Sequence, residues 1–155
     1  DMKYYLAIDI GASSGRHIVG WMENGVLMTD ELYRFPNGMD TVDGHLVWDS
    51  KRLLNEVETG IAECFKKYPR IESLSIDTWG VDYALLDGDG KLISEVFSYR
   101  DDRTSVSMLE AEKVVPFKKL YEVTGIQRAQ YNTIYQLYAD KISGKLSKAE
   151  TMLSI

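Results

Sequence analysis

The apolar residues of this chain fall first into short continuous runs and later into helical spacings. Tyr4, Tyr5, Leu6, Ala7 and Ile8 run without a break up to Asp9. A run so continuous predicts a strand over Lys3–Ile10 that is buried on both faces. Arg16–Glu23 reads as a second strand. Asn24-Gly25 separates it from a third, Val26–Phe35, and is a two-residue hairpin signal of the primed type. Pro36, Asn37-Gly38 and Asp43-Gly44 mark Phe35–Asp43 as loop, and His45–Trp48 follows as a brief strand. Asp49 is an N-cap candidate. Behind it Leu53, Leu54, Val57, Ile61, Cys64 and Phe65 recur at spacings of three and four, which predicts an amphipathic helix ending near Tyr68-Pro69.

Ile71–Asp77 is the next expected strand. Thr78-Trp79-Gly80 interrupts it, Val81–Leu86 resumes, Asp87-Gly88-Asp89-Gly90 turns the chain, and Lys91–Tyr99 is a further strand. Helices follow over Thr104–Val114, over Pro116–Val123 with proline at its start, and over Thr133–Lys141 with Ile134, Leu137 and Tyr138 on one side. Lys148–Ile155 opens a new apolar pattern, as in an element cut midway, and Asp1 before Met2 reads as an expression remnant; the chain is expected to be a fragment. Three antiparallel strands, a crossover helix and a fourth strand make neither a repeated βαβ unit nor a sandwich. The expected fold class is α/β, a mixed sheet opening with three antiparallel strands, with helices packed on it.

Composition narrows the function classes. The 155 residues carry a net charge of −6 and no long Lys/Arg cluster, which argues against a nucleic-acid binder. Arg100, Arg103 and Arg128 are scattered and leave room for a small anionic ligand. Cys64, the single cysteine, sits in the amphipathic pattern as a buried small hydrophobe. His17 and His45 lack ligand spacing and read as structural or surface residues. No secretory signal or long apolar span is evident, so a soluble cytoplasmic protein without membrane contact is expected. Oligomeric state is unreadable.

Chemistry concentrates in four stretches. After Asp9 come Gly11, Ala12, Ser13, Ser14, Gly15 and Arg16. Glycines permit unusual dihedrals, successive amides can converge on an anion, and the serines and Arg16 add donors. Asp9 at the strand end is placed to orient a hydrated magnesium ion. The plain alternative is a hairpin with a five-residue turn. In Asp77-Thr78-Trp79-Gly80-Val81-Asp82, two acids flank a Trp-Gly within apolar strands. They either receive hydrogen bonds or face a polar cleft, where Trp79 would suit a sugar ring and Gly80 would let a ligand reach the backbone. Tyr99–Thr104 alternates charges between strand and helix. It reads as a site for hydroxyls, as a loop braced by Arg–carboxylate forks or, by preference, as a solvated helix start capped by Asp102 or Thr104. Gln127–Asn132 is a polar loop of no decisive composition.

Taken in order, IDIGASSGR, IDTWGVDYALLD, YRDDRT and TGIQRAQYNTIYQL resemble the N-terminal half of the FGGY carbohydrate kinases, from Tyr4 to Leu137. The resemblance implies an actin-like, ribonuclease-H-like fold, with this chain as the first part of the sugar-binding N-terminal domain and the C-terminal domain lying outside it. It implies transfer of the γ-phosphoryl of ATP to a ketose with magnesium, the expected reaction being L-rhamnulose to L-rhamnulose 1-phosphate. L-fuculose or a pentulose is the alternative substrate, and a non-catalytic actin-like nucleotide-binding protein the alternative class. By similarity Ala12–Arg16 form a phosphate loop with Asp9 near the metal. Gly80, with Asp77, Thr78, Trp79 and Asp82 around it, faces the sugar, as does Tyr131. The general-base aspartate of the family has no match here and is expected beyond Ile155. The 155 residues alone are therefore expected to be inactive.

Overall fold

The computed structural model describes residues 2–155. The chain divides into two compact units, one built from residues up to Gly38 with Asp49–Trp79, the other from Met39–Trp48 with Gly80–Ile155.

The first unit is a four-stranded mixed sheet with one helix. Strands β1 (Tyr4–Ile10), β2 (Ser14–Glu23), β3 (Val26–Pro36) and β6 (Ile71–Thr78) lie in the order β3-β2-β1-β6. The first three pair antiparallel, and β6 joins β1 in parallel through the crossover helix α1 (Ser50–Lys67). Asn24 and Gly25 both take positive φ, the primed hairpin that their sequence predicts. The expectation of a strand buried on both faces is corrected. β1 alternates, with Leu6, Ile8 and Ile10 buried and Tyr5, Ala7 and Asp9 exposed. Asp49 caps α1 by accepting the Arg52 N–H at 2.9 Å. Leu53, Gly60 and Cys64 form the buried stripe of α1, whereas Leu54 and Phe65 are exposed. Burial pushes the Cys64 thiol up to about 11, helped by the nearby Asp30 and Glu63 carboxylates, so the thiol is inert near neutral pH.

The join between helix and sheet is close. His17 is fully buried on β2, and its Nε2 donates to the Val57 carbonyl of α1 at 3.0 Å. Its Nδ1 is buried without a partner, so a proton there would gain no acceptor. Burial accordingly lowers the His17 pKa below 6.5, outweighing the Val57 bond and the Glu56 charge that act the other way. Below pH 6.5 the unfolded chain takes up a proton that the folded chain refuses, so stability falls as pH drops from 6.5 towards the lowered folded value. Thermal midpoints measured between pH 7.5 and 5 are expected to fall more for the parent chain than for His17→Gln. Equal slopes would remove His17 from the cause.

The second unit holds a three-stranded sheet, a two-stranded sheet and three helices. β4 (Asp40–Val42), β5 (His45–Trp48) and β8 (Val96–Phe97) pair in the order β4-β5-β8. The loop reading of Phe35–Asp43 is thus corrected. Asp43 and Gly44, both at positive φ, close a primed hairpin from Asp40–Val42 onto His45–Val47. β7 (Tyr83–Leu86) pairs antiparallel with β9 (Thr151–Ser154), which the apolar pattern after Lys148 supplies. The strand expected over Lys91–Tyr99 shrinks to Val96–Phe97 with a single bridge from Leu92 to Leu86, because Asp87 draws the chain into a turn by accepting from the amides of Asp89 and Lys91. Helices α2 (Thr104–Val114), α3 (Phe117–Thr124) and α4 (Thr133–Ile142) match their predicted spans to within two residues. The face of α4 is corrected: Tyr135, Gln136 and Asp140 are buried and Ile134 is exposed. Among the described residues no helix is long and apolar enough to cross a membrane.

Candidate functional site

The Asp9–Arg16 stretch folds tighter than its composition suggests. β2 begins at Ser14, so the connection is three residues, closed by the Gly11 N–H donating to the Ser14 carbonyl at 2.9 Å. Neither Gly11 nor Gly15 takes positive φ. Gly15 is required for a different reason: a Cβ there would meet the buried Phe35 ring at 2.1 Å. The turn is braced from outside. Asn37 donates its amide N–H to the Ser13 carbonyl at 3.0 Å and its side-chain nitrogen to the Gly11 carbonyl at 2.9 Å. Arg52 of α1 grips that brace through the Pro36 carbonyl, Asn37 Oδ1 and the Gly38 carbonyl.

A row of charges crosses the outward face of the sheet beside this turn. Asp77 of β6 pairs with Asp9 of β1, Asp9 with Arg16 of β2, and Arg16 with Arg34 of β3. Directly paired residues project to one face, on strands about 4.8 Å apart. Two acids therefore adjoin two bases. Arg16 Nε lies 3.4 Å from Asp9 Oδ2, and Arg34 forks Glu31 at 2.7 Å on both nitrogens, which raises its own pKa further and lowers that of Glu31. Asp77 is exposed and accepts the Thr78 amide N–H at 3.1 Å, while the Thr78 hydroxyl donates to the Trp79 carbonyl at 2.9 Å. Such a face offers oxygen ligands to a hydrated cation and guanidinium donors to a phosphate.

In the second unit, Gly80, Asp82 and Tyr131 are brought together around a turn. Asp82 is buried. Its Oδ2 accepts from Trp48 Nε1 at 2.7 Å and from the Tyr99 amide at 3.1 Å, and its Oδ1 accepts from Gln136 Nε2 at 3.0 Å. Asp82 thus receives hydrogen bonds from three donors. Tyr131 packs edge-on against Tyr99, and its hydroxyl takes a bond from Gln127 Nε2 at 2.7 Å. Gly80 is exposed, and a Cβ added there meets no atom within 4 Å.

The predicted residues thus fall into two groups. Asp9, Gly11, Ala12, Ser13, Ser14, Gly15, Arg16, Asp77, Thr78 and Trp79 belong to the first unit, and Gly80, Asp82 and Tyr131 to the second. Sequence reasoning missed Asn37, Arg34 and Arg52, which only the strand register and helix packing bring to the turn. In YRDDRT the brace, the reading not preferred, is the one found, with Asp101 and Thr104 buried and Arg100 and Asp102 exposed. Asp101 accepts from the Leu46 and Arg103 amides and pairs with His45, and Arg103 lies buried against Asp140. The preferred solvated cap is corrected, since the N-cap position of α2 is Arg103 and no side chain caps the helix. His45, Asp101 and Asp102 have ligand atoms within 4.8 Å of one another, yet both Asp101 oxygens already hold the hairpin to the helix start.

Comparison with known proteins accords with this architecture. The chain is 42% identical over 139 residues to a rhamnulokinase of Lactiplantibacillus plantarum, covering 90% of the chain and 28% of that relative. It is 45% identical over 140 residues to a rhamnulokinase of Halalkalibacterium halodurans, covering 90% and 30%. It therefore spans about three tenths of the length of these curated relatives. Among solved structures, a gluconate kinase of Lactobacillus acidophilus superposes with a TM-score of 0.80 at 19% identity over 99% of this chain and 31% of that one. A ligand-bound xylulose kinase from the same organism superposes at 0.78 and 19% over 97% and 31%. These likenesses establish the fold class, a mixed α/β domain of the sugar-kinase type. The family description "FGGY family of carbohydrate kinases, N-terminal domain" matches residues 4–152, nearly the entire chain, and the chain belongs to the FGGY family of carbohydrate kinases.

Proposed function

We propose that these residues form a phosphate turn and part of a ketose wall in an ATP-dependent sugar kinase, with L-rhamnulose the substrate and L-rhamnulose 1-phosphate the product. The observation that carries this reading is the Asp77–Asp9–Arg16–Arg34 row beside the Gly11–Ser14 turn. The identity to rhamnulokinases supports the choice of sugar. The donor set fits the expected cofactors: Asp9, with Asp77 beside it, supplies the hard oxygens a hydrated magnesium ion prefers, and Arg16 a charged donor for phosphate. Magnesium, when bound, would neutralise phosphate charge during transfer. The chain's own residues bind and orient. Asp9 fixes a carboxylate at a strand end, Asn37 and Arg52 hold the turn rigid, and Gly80 leaves room for a ligand against its backbone. None of them is assigned the proton transfer.

The test uses a protein carrying these residues at the length of its curated relatives. ATP-dependent turnover is measured on L-rhamnulose, L-fuculose and two pentuloses by coupled release of ADP. L-Rhamnulose is expected to give the highest kcat/KM. A pentulose or L-fuculose in first place would reassign the substrate, and ATP binding that is indifferent to every sugar would favour the non-catalytic actin-like class. Gly80→Ala sharpens the test. Its Cβ enters open space and its φ lies outside the left-handed range, so folding stability should change by no more than about 0.5 kcal/mol. The ketose KM should rise about 10-fold with the ATP KM unchanged. Unchanged kinetics would take Gly80 out of the sugar wall.

A further inference from the structure

The turn that carries Gly80 is built the wrong way round for a simple kink. Val81 takes φ +72°, in the left-handed region. A β-branched residue there is a genuine outlier, because its Cβ crowds the backbone. Gly80, the neighbour that could adopt this conformation freely, does not adopt it. Nor does the chain's own packing need a glycine at 80, since nothing lies within 4 Å of a Cβ added there. The strained position thus holds a valine, while the glycine stands exposed at an unstrained one.

Two side chains hold the strained peptide in place. The Val81 carbonyl accepts from Thr133 Oγ1 at 2.8 Å and from Gln136 Nε2 at 3.3 Å, both at the first turn of α4. The next residue, Asp82, is pinned by Trp48, Tyr99 and the same Gln136. Val81 also borders an open cavity of about 330 Å³, with Phe117, Leu120, Ile126, Ile134 and Tyr135, so it is the hydrogen bonds that hold it. Backbone strain persists only where the surroundings over-determine it, and it collects where a ligand must be met by a preset backbone.

We infer that Val81 is a positioning residue: clamped by Thr133 and Gln136, it fixes the direction in which the Gly80 backbone is presented to the ketose. This rests on the sugar-kinase reading above. Binding then costs no reordering of the turn, which is the benefit of preorganisation.

Two measurements test it. In the 155-residue chain without ligand, amide hydrogen exchange is followed by NMR. Thr133→Val should speed exchange at Val81 and Asp82 about 10-fold, leave the amides of β1 unchanged, and be reversed by Thr133→Ser, which keeps the hydroxyl. In a protein at the length of the curated relatives, Val81→Gly and Thr133→Val should each raise the ketose KM about 10-fold. The ATP KM should stay within twofold, and Val81→Asn, which tolerates the left-handed region, should stay near the parent. A ketose KM that does not move while the amides loosen overturns the positioning role, leaving the clamp merely structural. Exchange that does not change overturns the clamp itself. A parent with no ketose-dependent turnover overturns the sugar-kinase reading and the positioning role with it, and the exchange result then shows separately whether the turn is preset.

Discussion

Asp140→Ala is expected to lower the free energy of unfolding by about 3–5 kcal/mol, the cost of removing one partner from a buried ion pair. Asp140 and the Arg103 side chain are 2% and 9% exposed, and Arg103 Nη1 donates to Asp140 Oδ1 at 2.6 Å. The other carboxylate oxygen accepts the buried Tyr83 hydroxyl, whose pKa burial and this bond push far above the ordinary phenol value. Arg103 also reaches Gln136 Oε1 at 3.2 Å and lies 4.2 Å over the Phe97 ring. Deleting the carboxylate leaves a guanidinium without its counter-charge and a phenol without its acceptor. Because whole domains are stable by only about 5–15 kcal/mol, this is a large share of the total, and equilibrium urea unfolding should show a clearly lowered midpoint for the variant. Replacing both partners, as in Asp140→Leu with Arg103→Met, should cost well under the sum of the single losses, since no charge is then stranded. A loss under about 1 kcal/mol for Asp140→Ala would mean that the pair is solvated in solution.

The distant partners of this brace are not legible in the sequence, and the reason is range. The elements read correctly carry their causes locally: Asn24-Gly25 needs only its own dihedrals, and the Asp49 cap needs only the amide three residues on. Asp43-Gly44 carried the same local signal, but the strand before it, Asp40–Val42, is short and exposed and shows no apolar alternation. Arg103 finds Asp140 37 residues away, Asp82 finds Gln136 54 away, and Tyr83 finds Asp140 57 away. The buried face of α4 is polar for that reason, and a search for apolar periodicity selects Ile134 instead. The candidate site shows the same division. The turn residues and the Thr78-Trp79-Gly80 stretch stand out by composition and by resemblance to a family. The row from Asp77 to Arg34 exists only through the register of four strands, one of them reached by a crossover.

Gly60→Ala should destabilise the chain, against the usual rule for a glycine inside a helix. At an open helical position the change gains about 1 kcal/mol, because alanine gives up less backbone freedom and has the better propensity. Gly60 is buried on α1, and an added Cβ would stand 2.2, 2.3 and 2.4 Å from three atoms of the His17 ring. His17 has little room to retreat, being fully buried with Tyr33 and Phe35 beside it. Either α1 lifts from the sheet or the ring moves and gives up its bond to the Val57 carbonyl. Overpacking costs about 1–3 kcal/mol and the lost bond about 1 kcal/mol more. The helix-propensity gain offsets part of this, leaving a net loss of about 1–3 kcal/mol in urea unfolding. The decisive comparison is the same substitution in a His17→Ala background. With the ring gone, Gly60→Ala should become neutral or stabilising, giving a coupling of about 2 kcal/mol or more between residues 43 apart in sequence. If Gly60→Ala alone leaves the chain as stable as the parent, the helix does not sit on His17 as closely as the structure places it, and the buried, unprotonated state of that histidine would need another cause.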